Sequence, residues 1–223
     1  MQPILTLKSA ADRAGYLVEE GSRRKMIAIA GLPGSGKSTF AARLARRVNE
    51  LLSENVVTVL GMDGFHLSRR ALLEMENPDA LFARRGAPWT FDVAKFAERV
   101  QRIREASPPA DVSDPVPWPD FEHNIGDPVE GAIQVSGASK LILVEGLYLL
   151  LGSNGWEDAN RLFDERWYLD TPMVVSMSRL VHRHIKAWGI SQPEAEARVA
   201  QNDRLNAEIV LASRDSADCF VLA

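Results

Sequence analysis

Lys25-Met26-Ile27-Ala28-Ile29-Ala30-Gly31-Leu32-Pro33-Gly34-Ser35-Gly36-Lys37-Ser38-Thr39 reads as a short buried strand, a glycine loop, and a lysine with two hydroxyls opening an amphipathic helix. This is the pattern G-x-x-x-x-G-K-[ST] in the strand-to-helix setting that gives it meaning. Gly31, Gly34 and Gly36 let the backbone turn so that successive N–H groups can converge on one anion. The helix is expected to begin at about Gly36, which turns its unpaired N–H groups and positive dipole end toward the same phosphate. Gly31, Pro33, Gly34, Ser35, Gly36, Lys37, Ser38 and Thr39 are therefore the candidate nucleotide-binding residues. Lys37 is expected to reach the β- and γ-phosphates, and the Ser38 hydroxyl to ligate Mg²⁺.

Outward from this loop, residues 5 to 20 read as an accessory helix ahead of the first strand. The helix after the loop places Phe40, Leu44, Val48 and Leu51 on one face. A second strand is expected over Val56–Gly61, bounded by Asn55, and a helix over Val93 to Glu105 with Val93, Phe96, Val100 and Ile103 inward. The proline-rich passage from Pro108 to Pro119 is unfit for a central strand and is read as loops and a short hairpin ending in Ala132–Val135. Further strands are expected over Leu141–Val144, Arg166–Leu169 and Cys219–Leu222. Apolar, non-alternating strands that alternate with helices imply a mostly parallel sheet covered on both faces. Ligands in such sheets bind beyond the carboxyl ends of the strands, so the residues after each strand are the ones to weigh.

At 223 residues, with 46% hydrophobic and 25% charged positions, the chain has the makings of one packed domain and not of a disordered one. A net charge of −4 offers no electrostatic case for a nucleic-acid or anionic-membrane partner. The longest apolar stretch, Leu141 to Leu151, is too short to span a bilayer and contains Glu145. A single cysteine, Cys219, rules out an internal disulfide, suits a reducing cytoplasmic compartment, and is read as a packing residue. No Asn-Lys-x-Asp guanine signature and no Leu-Ser-Gly-Gly signature occur, which argues against a GTP switch and an ABC-type ATPase.

Two acidic residues follow strands. Asp63, in Met62-Asp63-Gly64-Phe65-His66, would stand beside the loop if the first two strands lie near one another. A carboxylate there can take the proton of an attacking hydroxyl or hold Mg²⁺, whereas Asp-Gly elsewhere is an ordinary turn signal. His66 reads equally as a structural histidine or a substrate contact. Glu145, in Val144-Glu145-Gly146, is an expensive residue to bury in so apolar a run, and its length suits a metal contact through water.

The segment Met173–Trp188 is expected to form a helix with Val174, Met177, Val181, Ile185 and Trp188 on one face and Arg179, Arg183 and Lys186 on the other. Gly189 stops it, and Ser191 with Glu194 forms a capping box for the next helix. A basic stripe is commonly a solvated face, but one that follows a strand end beside a phosphate loop reads as a lid, over about 173–190, bringing arginines to a moving phosphoryl group. A helix from about Gln192 to Ala212 puts Asn202 and Asn206 on the stripe of Ala195, Val199 and Ile209; they either brace the nucleotide site or tie the helix to a loop. Asp92, ending Arg84-Arg85-Gly86-Ala87-Pro88-Trp89-Thr90-Phe91-Asp92, is a natural N-cap. Trp118-Pro119-Asp120-Phe121-Glu122-His123-Asn124 can line a small pocket.

With these segments in order, the chain from about Lys25 onward resembles the P-loop kinase family that contains uridine kinase, phosphoribulokinase and the bacterial pantothenate kinase. It is most similar to bacterial chains labelled fructose transport system kinases. The resemblance rests on Gly31–Thr39, Asp63-Gly64-Phe65, Arg85–Asp92, Phe121-Glu122-His123, Val144-Glu145-Gly146 and Asn202-Asp203-Arg204-Leu205-Asn206. It implies a three-layer α/β sandwich of the P-loop NTPase class, with a mostly parallel five-stranded sheet, a helical lid and a small hairpin insertion at about 106–136. It implies ATP and Mg²⁺ as cofactors and a small-molecule hydroxyl acceptor, with Asp63 as catalytic base, Lys37, Arg179 and Arg183 on the transferred group, and Ser38 and Glu145 at the metal. It further implies His66, Arg85, Asp92, Phe121 and His123 around the acceptor. The acceptor is read as a sugar such as fructose, with a nucleoside or pantothenate-like alcohol as the alternative. A non-catalytic ATP-binding regulator of a transport system is the alternative of another class, and a homodimer is left open.

Overall fold

The computed structural model describes residues 2–21, 23–106, 115–122 and 124–222. Six strands form one wholly parallel sheet: β1 (Ile4–Leu5), β2 (Lys25–Gly31), β3 (Val57–Gly61), β6 (Leu141–Gly146), β7 (Glu165–Asp170) and β8 (Cys219–Leu222), in the spatial order β1-β8-β7-β2-β6-β3. The remaining strands, β4 (Val116–Glu122) and β5 (Asp127–Val135), pair with each other as an antiparallel hairpin. The helices are α1 (Leu7–Glu19), α2 (Lys37–Leu52), α3 (Arg69–Leu73), α4 (Pro78–Ala83), α5 (Val93–Glu105), α6 (Trp156–Asn160), α7 (Met173–Trp188), α8 (Gln192–Arg198) and α9 (Arg204–Ala212).

Alternation along β2 divides the core. Met26, Ala28 and Ala30 face one layer with Phe96, Trp118, Trp156 and Ala207, while Ile27 and Ile29 face the other with Ala11, Phe40, Leu44 and Val48. Successive side chains of a strand point to opposite faces, so a strand with both sets buried must be central and covered twice. Helices α1 and α2 cover one face; α5, α6 and α9 with the hairpin cover the other. Cys219 is fully buried on β8, and burial pushes its thiol above the ordinary value. Arg24, 1% exposed, donates to the carbonyls of Ile103, Ser136, Gly137 and Ser139, stitching the start of β2 to the end of α5 and the loop before β6. No helix among the described residues is long and apolar enough to cross a membrane.

Several expectations need correction. The sheet has a sixth strand, β1, where residues 4 and 5 pair with Phe220 and Val221 and the accessory helix begins only at Leu7. The nearness of the first two expected strands, on which the reading of Asp63 depends, is one strand removed, because β6 lies between them and pairs with both. Leu51 is 44% exposed at the end of α2. On α7 the buried stripe is Ser176, Leu180 and His184, while Val174 and Trp188 are more than half exposed. The expected helix over 192–212 is α8 and α9 joined by a π-helical turn, Val199–Asp203. Residues 107–114 of the proline-rich passage lie outside the described residues.

Candidate active site

The glycine loop joins β2 to α2 as its spacing dictates. Gly34 and Gly36 have φ of +78° and +96°, a region in which side chains are strained, and Gly36 is the N-cap of α2. A Cβ at Gly34 would lie 2.5 Å from the Ser176 carbonyl oxygen and 2.8 Å from Leu180 Cγ, so α7 rests directly on the loop. That close approach, made by the Ser176 backbone and the Leu180 side chain, requires a glycine at position 34. Thr171 Oγ1 and Arg179 Nη1 both donate to the Ser35 carbonyl at 3.1 Å, tying the loop to the end of β7 and to α7. Lys37 is buried, with Nζ donating to the carbonyls of Gly31 and Leu32 at 3.0 Å. Burial pulls its amine below the ordinary lysine value, and the charges of Glu145 and Asp63 oppose that fall.

Parallel register sets the acidic residues around the loop. Glu145 on β6 pairs with Ile29 on β2 and with Gly61 on β3, which brings it to the same sheet edge as the loop on one side and the start of the Asp63 turn on the other. Its Oε1 accepts from Ser38 Oγ at 2.8 Å. Burial raises its carboxyl above the ordinary value, with Asp63 and Asp120 adding to the rise and Lys37 and Ser38 resisting it. Asp63 lies in a 3-10 turn, Met62–Phe65, directly after β3. The hairpin holds that turn from both ends. Trp118 Nε1 donates to the Gly61 carbonyl at 2.9 Å, and a Cβ at Gly64 would overlap the Pro119 carbonyl. His66 Nδ1 meets the Asp63 carbonyl at 2.8 Å, and its ring lies 4.0 Å from that of Phe91 and 4.8 Å from that of Phe121.

These groups share one cavity of about 380 Å³, into which the sequence-expected residues Pro33, Gly34, Gly36, Lys37, Ser38 and Thr39 converge from the loop. Asp63, His66, Arg85 and Glu145 line it from the strand ends and the segment before α5, and Arg179 and Arg183 from α7. Gly31 and Ser35 form the loop's inner backbone, and Lys186 is exposed and does not line the cavity. Arg85 is fixed by bonds to the Gly126 carbonyl, the Leu67 carbonyl and Asp127 Oδ1, with Phe121 5.6 Å beneath its guanidinium. Asp92 caps α5 through the Lys95 amide at 3.0 Å and lines a separate cleft of about 260 Å³ that meets the first at His66. The His123 expectation lies outside the described residues.

A second wall of the cavity was not marked as a whole by the sequence. Asn202, Asp203 and Asn206, from the π-helical turn and α9, line it beside Gly86. The two asparagines do tie their helix to a loop: Arg84 donates to both side-chain oxygens, and Asn202 Nδ2 donates to the Arg85 carbonyl at 3.0 Å. The amide stripe was visible in the sequence, and Arg84 and Asp203 stood within quoted segments, but nothing there gave either residue a contact or a role.

The donor set suits a phosphate chain with a hard cation. Among the described residues no cluster of three His, Cys, Asp or Glu side chains could enclose a metal unaided. One hydroxyl and one carboxylate, Ser38 and Glu145, fit Mg²⁺, which keeps water and takes most remaining ligands from phosphate oxygens. The glycine cradle, the buried amine and two guanidinium groups supply the positive field such a chain needs.

No family model matches the chain. A Schizosaccharomyces pombe protein provisionally named a uridine kinase is 38% identical over 202 residues, covering 89% of this chain and 83% of that protein. An Aspergillus versicolor protein named ATP-dependent kinase-like is 39% identical over 154 residues, covering 69% of this chain and 88% of its own. Among solved structures, a Silicibacter sp. TM1040 protein provisionally described as a fructose transport system kinase superposes with a TM-score of 0.82 at 33% identity, covering 97% and 98% of the two chains. Sequence kinship over most of its length and the geometry of the glycine loop agree: the chain belongs to the P-loop kinases related to uridine kinase.

Proposed function

We propose that the chain transfers the γ-phosphate of ATP to a hydroxyl of a small metabolite, with Mg²⁺ as cofactor. The observation that carries this reading is the shared cavity: Lys37, Arg179 and Arg183 around the phosphate cradle, with Asp63 and Glu145 at the same sheet edge. A pure nucleotide sensor needs the cradle but has no use for an acid held beside it on a braced turn.

The hydroxyl oxygen attacks the γ-phosphorus, the bond from that phosphorus to the bridging oxygen of ADP breaks, and the hydroxyl proton passes to Asp63. Ser38 and Glu145 would hold Mg²⁺, which when bound would neutralise charge on the phosphate oxygens. Lys37 and the loop amides hold the donor, and Arg179 and Arg183 stabilise charge on the moving group. His66 and Arg85 line the acceptor side, with Phe121 beneath Arg85 and Asp92 in the adjoining cleft. Little covalent chemistry falls to the protein, so placement and field dominate. A sugar is the first acceptor class to try, in keeping with the name of the Silicibacter relative.

An ADP-release screen with ATP, Mg²⁺ and sugars, nucleosides or pantothenate tests this directly. One acceptor class should stimulate release. Asp63→Asn should leave ATP binding intact and lower turnover by about 10²–10⁴. Wild-type turnover in that variant would remove Asp63 from the mechanism. Tight ATP binding with no stimulating acceptor would favour a regulatory protein.

A further inference from the structure

Arg84 fixes two side-chain amides at once. Its Nε donates to Asn202 Oδ1 at 3.1 Å and its Nη2 to Asn206 Oδ1 at 2.9 Å. A guanidinium can only donate, so both amide oxygens must face it and both NH₂ groups must point elsewhere. Asn202 spends its NH₂ on the Arg85 carbonyl. Asn206, 3% exposed, has no protein partner for its NH₂ among the described residues, and it lines the cavity.

Asp203, three residues before Asn206 and so on the same side of the helix, is fixed in a similar way. Its Oδ2 accepts from His184 Nε2 at 2.8 Å, and His184 is buried on α7 with its ring stacked 4.4 Å from that of Trp188. The carboxylate's other oxygen has no protein partner among the described residues, and Asp203 also lines the cavity. The wall therefore offers one oriented donor and one oriented acceptor. A carboxylate repels phosphate, so this wall suits the uncharged partner of the reaction. It is also joined through Arg85 to the Leu67 carbonyl, just past the Asp63 turn.

We propose that Asn206 and Asp203 read a pair of adjacent hydroxyls on the acceptor, one accepting from the Asn206 NH₂ and one donating to the Asp203 carboxylate, with Arg84 and His184 as positioning residues. This rests on the kinase reading and narrows it to vicinal diols. A site built to bond a hydroxyl rejects the analogue that lacks it, because its own polar groups are left unpaired.

The test compares ADP release with matched acceptors, D-ribose against 2-deoxy-D-ribose and uridine against 2′-deoxyuridine. The wild type should favour the diol by about tenfold or more in kcat/KM. The near-isosteric variants Asn206→Asp and Asp203→Asn should erase that preference while the KM for ATP stays within about twofold. Arg84→Met and His184→Gln should raise the acceptor KM with little change in kcat, and Arg84→Lys, which keeps a donor, should recover most of the loss. An unchanged preference in both isosteric variants, or an ATP KM that rises in step, overturns the proposal. If neither diol stimulates release from the wild type, the kinase reading fails for this class, and calorimetric titration of D-ribose and uridine decides the wall separately. Binding lost in Asn206→Asp upholds it, and binding absent or equal in both proteins overturns it.

Discussion

The role proposed for Glu145 sets two demands that pull against each other. Burial favours its neutral form, yet holding a cation calls for the carboxylate, and Lys37 and Ser38 are the neighbours that favour the charge. Glu145→Gln keeps the shape and the Ser38 contact but removes the charge. Its expected effect is a rise of about 10–100-fold in the Mg²⁺ concentration for half-maximal turnover, read by titrating Mg²⁺ at fixed ATP. An unchanged Mg²⁺ requirement would take Glu145 out of the metal site. The placement of such residues at the cavity was legible in the sequence because the signal is local: an acid after a strand, a lysine after a glycine loop. The place of Asp203 on the cavity wall was not legible, since it depends on a π-helical turn that shifts the helical phase, and Arg84 meets Asn202 only across 118 positions of chain.

At the scale of elements, the hairpin is clamped to α5 by Glu130, which pairs with Lys95 at 2.7 Å and Arg99 at 2.9 Å. Lys95, then Arg99, holds the Glu130 carboxyl below its ordinary value. A depressed acid contributes stability that is present above its unfolded-state pKa and is lost as pH falls through the folded-state value. Glu130→Gln should therefore lower stability at pH 7 by up to about 1 kcal/mol, the range for half-exposed pairs, and leave it unchanged well below the carboxylate range. Urea unfolding at both pH values checks the sign, and an equal loss at both would exclude the ion pairs as its cause. The hairpin was expected, and so were α2, α5 and the strands that flank the loop, because their apolar periods are long and unbroken. The buried face of α7 was misjudged for physical reasons. Two of its buried positions are polar, Ser176 and a histidine satisfied by Asp203, and neither registers as hydrophobicity. Strand β1 is two residues long and leaves no alternation to detect.

In the whole molecule, the order β2-β6-β3 spaces the phosphate loop and the Asp63 turn by two strand separations, about 10 Å, with Glu145 on the strand between them. At the opposite end of β2, Arg24 ties the strand to α5 and the loop before β6 through carbonyls of Ile103, Ser136, Gly137 and Ser139. Arg24→Met would strand those carbonyls in the interior and should cost about 3 kcal/mol or more. For a chain of this size that is a fall in Tm of about 6 °C or more, measurable by calorimetry. A shift under about 1 °C would show that the carbonyls find other partners.

The lone cysteine, fully buried on β8 with its thiol pushed toward the protonated form, has a practical consequence. Maleimide and spin-label reagents need an accessible thiolate, so the natural chain should stay almost unlabelled while folded. Lys186→Cys, at an exposed site on the basic helix, would then give one addressable thiol without first removing a native one. A fluorophore or nitroxide there can report in real time whether α7 moves when ATP and acceptor arrive.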